Sequence, residues 1–304
     1  MPLKEVLQNI FSALQWGSFY SMIALGYCLV YGVLRLINFA HGDIFMTACY
    51  LAFFISGALL KYLSGGGIVV FTITLVLTVA ATALVGVSIE RIAYRPLRRK
   101  GVNRLYVVIT ALMVGFILEN GNLALLGASS RSFPDILTKV NWEFGPVMLT
   151  NLKALVIVAA FAVFGVLQFI VKKTSFGMSM RAISYDKFAI PLMGIPVNQV
   201  ISFTFAIGSG LAAVAGILYG MSYPVLDPLM GMNLGWKAFI AAVVGGIGEI
   251  QGAFLGGFML GFIEIFIAGF FPSSVKDLVS FVILLIIMVL KPTGFFGVAR
   301  SAKI

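Results

Sequence analysis

The chain has 304 residues, of which 61% are hydrophobic and only 11% are charged, and its mean hydropathy is +1.06. A water-soluble domain of this size needs more polar surface, so the composition excludes that class. The formal net charge of +10 does not indicate nucleic-acid binding, because the basic residues cluster in short loops between apolar runs. In that position Lys and Arg mark the cytoplasmic side of a membrane.

Four long runs carry no charged residue: 10–34, 68–89, 154–171 and 188–226. About 18 or more such residues are enough to cross a bilayer as a helix. We therefore predict an all-α, polytopic transmembrane bundle and a single domain over 1–304. The predicted spans are 10–34, 44–61, 68–90, 105–126, 154–172, 199–221, 234–248, 251–271 and 277–291. The seventh is short and glycine-rich and is expected to be a half-helix or a re-entrant segment, which leaves eight or nine spans.

The first apolar run is 25 residues long and is preceded by MPLKEVLQN. A cleaved signal has a shorter core and a small-residue cleavage site, so this run is interpreted as a retained span. The basic loops 91–104 and 173–198 are placed on the cytoplasmic side. That orientation puts the N-terminus outside and the C-terminus inside. Cys28 and Cys49 both lie in apolar segments, where a packing role is expected.

The segment LINFAHGDIFM, residues 36–46, places Asn38, His41 and Asp43 between two apolar runs. A charged group at membrane depth costs at least ~2.5–3.5 kcal/mol on insertion scales. Asp43 is expected to cap the helix that follows, with its carboxylate accepting from free backbone N–H groups. For His41 three roles stay open: a structural hydrogen-bonding group, which we favour, a lining group of a path, or a titrating group.

GGIGEIQGAF, near the C-terminus, interrupts an apolar stretch in the same way. Paired interrupted segments in the two halves of a transporter point to a substrate path. The candidate residues of this path, or of the helix breaks beside it, are Asn38, His41, Asp43, Gly246 and Glu249. Two further acids in apolar surroundings, Glu119 and Glu264, are expected to pair between helices, with partners that the sequence does not name.

Small residues recur one helical turn apart in the pairs Gly252–Gly256 and Gly257–Gly261. This spacing lets helices approach closely in lipid, and ordinary helix packing is the favoured interpretation.

Residues 173–198 form a cytoplasmic segment that is too long for a turn. Within it, MRAISYDKFAIPLM is typical of an amphipathic helix, with Met180, Ile183 and either Phe188 or Ile190 on its apolar side. Gly194 is expected to end it. Two interpretations stay open: a helix lying on lipid headgroups, and a helix that docks in a groove of a cytoplasmic partner.

Three segments resemble the branched-chain amino acid ABC permease family, in that family's order and spacing. INFAHGDIFM resembles its signature near the second span. RAISYDKFAIPLMGIPVNQV, followed by FTFAIGSGLAAVAGILYG, resembles its cytoplasmic coupling loop and the next helix. WKAFIAAVVGGIGEIQGAFLGGFMLGFIE resembles its glycine-rich C-terminal signature.

The resemblance implies a permease subunit of the bacterial inner membrane that carries branched-chain amino acids by alternating access. The implied partners are two cytoplasmic ATPases, a second permease subunit, an external solute-binding protein and the lipid bilayer. It places Arg181, Asp186 and Gly194 at the ATPase contact, although Arg181 and Ala182 stand where the generic importer motif begins with an acid. The chain contains no G-x-x-x-x-G-K-[ST], so ATP is expected in the partner subunits, with no cofactor bound here.

One alternative stays open and two are disfavoured. The open alternative is a permease of the same importer class that carries urea or short amides, because permeases for those solutes look similar. A passive solute channel is disfavoured because NFA at 38–40 only superficially resembles the two Asn-Pro-Ala copies of aquaporins. An enzyme is disfavoured because there is one histidine, no metal-ligand spacing and no nucleophile–base motif.

Overall fold

The computed structural model of the chain describes residues 3–63, 67–144, 147–185, 190–272 and 275–297. In these ranges nearly all regular structure is helical, which confirms the predicted all-α bundle. The helices are α1 Leu3–Leu34, α2 His41–Tyr62, α3 Gly67–Ile89, α4 Arg95–Arg99, α5 Arg104–Leu126, α6 Asn151–Lys173, α7 Ser175–Tyr185, α8 Val197–Ser222, α9 Met230–Gly246, α10 Ile250–Phe270 and α11 Lys276–Leu290. A π-helical turn, Glu90–Tyr94, joins α3 to α4, and a 3₁₀ turn, Ile190–Met193, precedes α8.

Short strands occupy the connections predicted to lie outside. β2 (Asn141–Phe144) and β3 (Val147–Thr150) form an antiparallel hairpin in the long connection before α6. β1 (Arg131–Ser132) pairs with β4 (Val225–Leu226), which follows α8. The two pairings give the connections on this side of the bundle regular structure.

All nine predicted spans are helical in the structure. Seven helices of the described chain are long and apolar enough to cross a membrane, namely α1, α2, α3 with its extension to Arg99, α5, α6, α8 and α10. The two others are shorter: α9 has 17 residues and α11 has 15. The short α9 agrees with the interrupted character expected for the seventh segment.

The bundle has inner and outer helices. In α1 and α8, 83% and 72% of the 18-residue apolar stretch is buried inside the protein. In α3, α5 and α6 the buried share of the corresponding stretch is only about a fifth. The outer helices show large apolar side chains, such as Leu84, Ile117 and Phe169, on their exposed faces. Such faces suit contact with lipid, because the lipid tails are as apolar as leucine side chains and an apolar helix face can be exposed to them.

The glycine pairs of α10 serve two different neighbours. A β-carbon at Gly252 or Gly256 would collide with the backbone of α9, at Gly245 and Ala241. A β-carbon at Gly257 or Gly261 would collide with the backbone of α1 instead. The ten-residue stretch 252–261 is therefore one two-sided packing surface, and the expectation of small-residue helix packing is confirmed.

We predict that Gly261→Ala lowers stability by about 1–3 kcal/mol, because the added methyl group has to push α1 and α10 apart. Gly261 faces the backbone atoms of Gly17 and Ala13, which do not move aside as a flexible side chain does. The measurement is thermal unfolding in detergent, with Gly165→Ala on α6 as the matched control. Gly165 has nothing within 4 Å of its added β-carbon, so equal losses in the two variants would contradict the packing argument.

Candidate translocation site and coupling segment

The first helix break lies between α1 and α2. α1 ends at Leu34, Arg35 takes a left-handed backbone with φ 52°, and α2 begins at His41. Asn38, in the break, is 2% exposed, and its side-chain oxygen accepts a 2.7 Å hydrogen bond from the Tyr94 hydroxyl. Because Tyr94 belongs to the π-helical turn, Asn38 fastens the break to the end of α3. π-turns are found frequently at functional sites.

His41 is buried against α1. Its ring is 1% exposed and lies edge-on to Tyr27, with ring centroids 4.8 Å apart. The ring forms a hydrogen bond with the backbone of Ile23, and its Nε2 atom faces Gly26 without a hydrogen-bond partner. Only glycine fits at position 26, because a β-carbon there would overlap the imidazole. These contacts favour the structural role for His41.

Asp43 does not cap α2 in the predicted way. The N-cap position is Ala40, and no side chain forms a capping hydrogen bond there. Asp43 is instead the third residue of α2, 7% exposed, and its Oδ1 atom is buried without a hydrogen-bond partner. The helix begins at His41, three residues earlier than the predicted start at residue 44. A carboxylate in the first turn still meets the positive end of the helix dipole.

The second break lies between α9 and α10. Gly246 and Gly248 have φ +114° and +98°, and Glu249 is the N-cap residue of α10 without a capping hydrogen bond from its side chain. The C-terminal segment covers the end of α9: the Phe295 and Phe296 N–H groups donate to the Val244 and Gly245 carbonyls at 2.9 and 3.0 Å. Carbonyls that a helix end leaves free are thereby satisfied.

The two breaks open onto different cavities. Asp43 and Glu119 line one of about 80 Å³ between α1, α2, α5 and α9. Glu249 lines another of about 210 Å³, together with Cys28 and Arg181. Asn38 and Gly246 line neither of them. The five predicted path residues thus lie at two separate places, and α1 runs between them, with Tyr31 and Gly32 close to Gly248.

In the coupling segment, residues 173–198, Met180 and Ile183 are buried on one face of α7, 2% and 4% exposed, as the amphipathic pattern predicts. The predicted bounds are wrong, because α7 ends at Tyr185 and Gly194 follows the separate 3₁₀ turn Ile190–Met193. The Arg181 guanidinium donates to the Val171 carbonyl at the end of α6, so it holds α7 against its own bundle. Gly194 is exposed, has φ +77°, and has nothing within 4 Å of an added β-carbon. Asp186, the third predicted coupling residue, lies outside the described residues.

One buried charge cluster, at the C-terminal end of α3, was not predicted from the sequence. Glu90 is fully buried and accepts from Arg95 at 2.7 Å, Arg98 at 3.0 Å and Ser202 at 2.8 Å. Arg98 also donates to the Asn198 side chain at 2.8 Å. The cluster therefore ties the π-helical turn to the first turns of α8. Sequence reasoning had used these arginines only as a topology signal; the available clue was the acid directly ahead of them.

A second cluster supplies the partner of Glu264. Its carboxylate lies 2.7 Å from Lys237 Nζ and accepts a 2.6 Å hydrogen bond from the Tyr20 hydroxyl. Lys237 reaches Asp277 as well, at 2.8 Å. Four helices, α1, α9, α10 and α11, meet at this ion pair. Glu264 is thus an interhelical pairing group, as expected, and Lys237 is the partner that the sequence did not name.

The fold and these sites define the class: a polytopic membrane bundle with two interrupted segments, a small acidic cavity beside one of them and an amphipathic helix on the side predicted to be cytoplasmic. The family model described as "Branched-chain amino acid transport system / permease component" matches residues 9–288. The chain belongs to this family, and the resemblance seen in its three motifs is confirmed.

Relatives match over nearly the whole length. The high-affinity branched-chain amino acid transport system permease protein BraD of Pseudomonas aeruginosa is 38% identical, covering all of both chains. The permease protein LivH of Escherichia coli K12 is 35% identical over 98% of this chain and 97% of its own. A ribose import permease of Haemophilus influenzae matches at 33% over only 30% of this chain. No solved structure matches.

We predict that Lys237→Met destabilises the bundle by about 3–5 kcal/mol, because it leaves the Glu264 carboxylate buried without its cation. Adding Glu264→Gln to this variant is expected to restore part of the loss, since the uncompensated charge is then gone. Thermal unfolding in detergent measures both effects. Lys276→Met is the control, because Lys276 is 4.0 Å from the half-exposed Asp277. Full additivity of Lys237→Met and Glu264→Gln would show that the two groups do not interact.

Proposed function

We propose that this chain is a membrane subunit of an ATP-driven importer that carries branched-chain amino acids across the bacterial cytoplasmic membrane. The observation that carries the proposal is the match over 98–100% of the chain to relatives named as high-affinity branched-chain amino acid permeases. The ribose permease matches a third of the chain or less, so the amino-acid relatives decide the substrate class.

The interrupted bundle suits alternating access. α1 and α8 form an inner scaffold, and the two broken segments bring Asn38, Asp43 and Glu249 to the bundle interior or its cavities. In transporters, broken helices at membrane depth line the substrate path. The chain alone supplies no nucleotide site, since its sequence has no phosphate-binding loop. The energy then has to come from separate cytoplasmic ATPase subunits, and the solute from an external binding protein.

The coupling segment carries the surface that an ATPase needs. Tyr185, Leu192 and Met193 are 76%, 89% and 75% exposed, on a segment whose other face packs on the bundle. Large apolar side chains grouped on a protein surface are typical of interaction sites. A groove on each ATPase would cover them. In this arrangement Arg181 positions α7, and Gly194 provides the turn between the docking surface and α8.

The proposal is tested by uptake of labelled leucine into proteoliposomes that contain the importer with its ATPases, its partner permease and the purified binding protein. Uptake that requires internal ATP and external binding protein is expected. Leucine uptake that proceeds without ATP would overturn the importer in favour of a passive channel. Competition by unlabelled isoleucine and valine, but not by urea, is expected for a branched-chain substrate class.

We predict that Gly194→Glu abolishes leucine uptake while leaving the unfolding temperature close to that of the wild type. A side chain at φ +77° is strained by about 1–2 kcal/mol, and the new charge lies beside the exposed Leu192 and Met193. Loss of ATPase stimulation by the binding protein is the second readout.

The matched control is Gly101→Glu in the other cytoplasmic loop. Gly101 also has a positive φ, +63°, and open space around an added β-carbon. Both variants introduce the same strain and charge, so only the docking position differs. Normal leucine uptake by Gly194→Glu would refute the assigned docking surface.

A further inference from the structure

The small cavity beside the first helix break has the character of a recognition site. It has a volume of about 80 Å³, enough for a small polar group or several water molecules. Two acids, Asp43 and Glu119, line it. Its remaining walls are aromatic or glycine residues with two aliphatic side chains: Tyr27, Phe39, Gly42, Leu112, Gly115, Phe116, Gly231, Met232, Gly235 and Trp236.

The Asp43 carboxylate accepts a hydrogen bond from its own backbone N–H, but among the described residues it lacks the cation that a buried carboxylate normally pairs with. It is 7% exposed, and its Oδ1 atom accepts no hydrogen bond from the described residues. A β-carbon at Gly231 would lie 2.8 Å from Oδ1, and one at Gly115 would lie 2.5 Å from Oδ2. The carboxylate therefore fits between Gly231 and Gly115 only because neither residue has a side chain. Within the described chain no cation forms an ion pair with Asp43 or Glu119, in contrast to Glu90 and Glu264.

The walls indicate which cation completes the site. The rings of Phe39 and Trp236 are 5.3 Å apart, and Tyr27 and Phe39 both pack on Phe239. A hard metal ion requires six or more oxygen ligands or retained water, and the described residues contain no group of three potential metal ligands. Carboxylates beside aromatic faces suit an ammonium group, which gains both ionic and cation–π attraction.

The same cavity offers a place for a carboxylate. It reaches the first turn of α9, where the N–H groups of Gly231 and Met232 have no acceptor within the helix. The N-terminal end of a broken helix carries positive partial charge and binds substrate carboxylates in other transporters. No Lys or Arg lines the cavity, so the backbone N–H groups of Gly231 and Met232 would bind the carboxylate instead.

We propose that Asp43, assisted by Glu119, binds the α-ammonium group of the amino acid during its passage, with the apolar side chain against the Phe39–Trp236 wall. The assignment rests on the proposed function. It makes this cavity a selectivity element within the permease itself, specific for a primary ammonium group next to an apolar side chain. The small volume makes it a transient contact, which suits a path that has to release its substrate.

Direct binding is measured with the purified chain in detergent, using the fluorescence of Trp236 as the reporter. Millimolar leucine is expected to shift the emission, whereas N-acetylleucine, which has no ammonium group, is not. Trp236→Phe assigns the signal, and Asp43→Asn is expected to remove the response to leucine. No shift with leucine, or an equal shift with both compounds, would overturn the proposal.

Uptake by the complete importer gives an independent test. Asp43→Asn and Glu119→Gln are expected to lower ATP-driven leucine uptake at least about tenfold, as expected for losing hydrogen bonds to a charged group. Asp43→Glu is expected to retain most of the activity, because the charge is kept. Glu5→Gln, at the exposed start of α1, is the control with the same loss of charge.

The outcomes separate the two proposals. Wild-type protein that fails to import leucine contradicts the proposed function, whatever the variants do. Wild-type uptake with an unimpaired Asp43→Asn variant contradicts the ammonium site alone. Unfolding temperatures of all variants are measured in parallel; a purely structural role for Asp43 would lower the unfolding temperature and would impair Asp43→Glu as much as Asp43→Asn.

Discussion

A charge inside this bundle has to be matched within the protein, because lipid offers neither hydrogen bonds nor counter-ions. Glu90 and Glu264 are both paired with cations, the first with two arginines as well as a hydroxyl, the second with Lys237 as well as Tyr20. Each of these clusters joins several helices, so each fixes the relative position of its elements. Asp43 is the exception. Its side chain is buried too, 7% exposed against 0% for Glu90 and 2% for Glu264, yet it faces a cavity and has no cation beside it in the described chain. This contrast supports the proposal that Asp43 binds a ligand, whereas Glu90 and Glu264 join helices.

The close packing of α10 makes these charge clusters possible. Glycines on two of its faces bring the backbones of α1 and α9 into contact with it. Lys237 on α9 and Tyr20 on α1 then reach Glu264 from opposite sides. Wider helix spacing would leave room for water or lipid between the groups and would weaken the ion pair. Helix packing by small residues and charge pairing therefore depend on each other. Van der Waals contact between the helices brings Lys237 and Tyr20 close enough to Glu264 to pair with it.

Much of this architecture is local and could be predicted from the sequence. Hydropathy located the nine predicted spans, all of which are helical. Glycine spacing identified the packing surface of α10, and periodicity placed Met180 and Ile183 on the buried face of α7. Pairing between helices could not be predicted, because a residue's distance along the chain says nothing about its neighbours in the bundle. Lys237 was interpreted only as part of a motif for that reason. Arg95 and Arg98 show a different difficulty: basic residues at a membrane boundary orient the chain and also neutralise Glu90, and composition reveals only the first role. Asp43 was located in the right segment but at the wrong helix position, since boundaries depend on contacts with α1, α5 and α9.

A continuous set of contacts leads from the coupling segment to the first helix break. Gly194 and Pro196 deliver the chain into α8, whose first turns hold Glu90 through Ser202 and hold Arg98 through Asn198. Glu90 begins the π-helical turn, and Tyr94 ends it with a hydrogen bond to Asn38. Asn38 lies three residues before the helix that carries Asp43 through the cavity wall. If an ATPase moves the coupling segment in the proposed importer, α8 cannot shift without pulling on the π-turn, and the π-turn cannot shift without disturbing the break. π-turns inside helices are rare and are found frequently at functional sites, which suits this place between the two segments. The acidic cavity and the proposed docking surface are thus connected through a chain of polar contacts, of which the bonds of Glu90 to Ser202 and of Tyr94 to Asn38 are buried. Buried hydrogen bonds are costly to break, so a shift at one end of this chain is expected to reach the other.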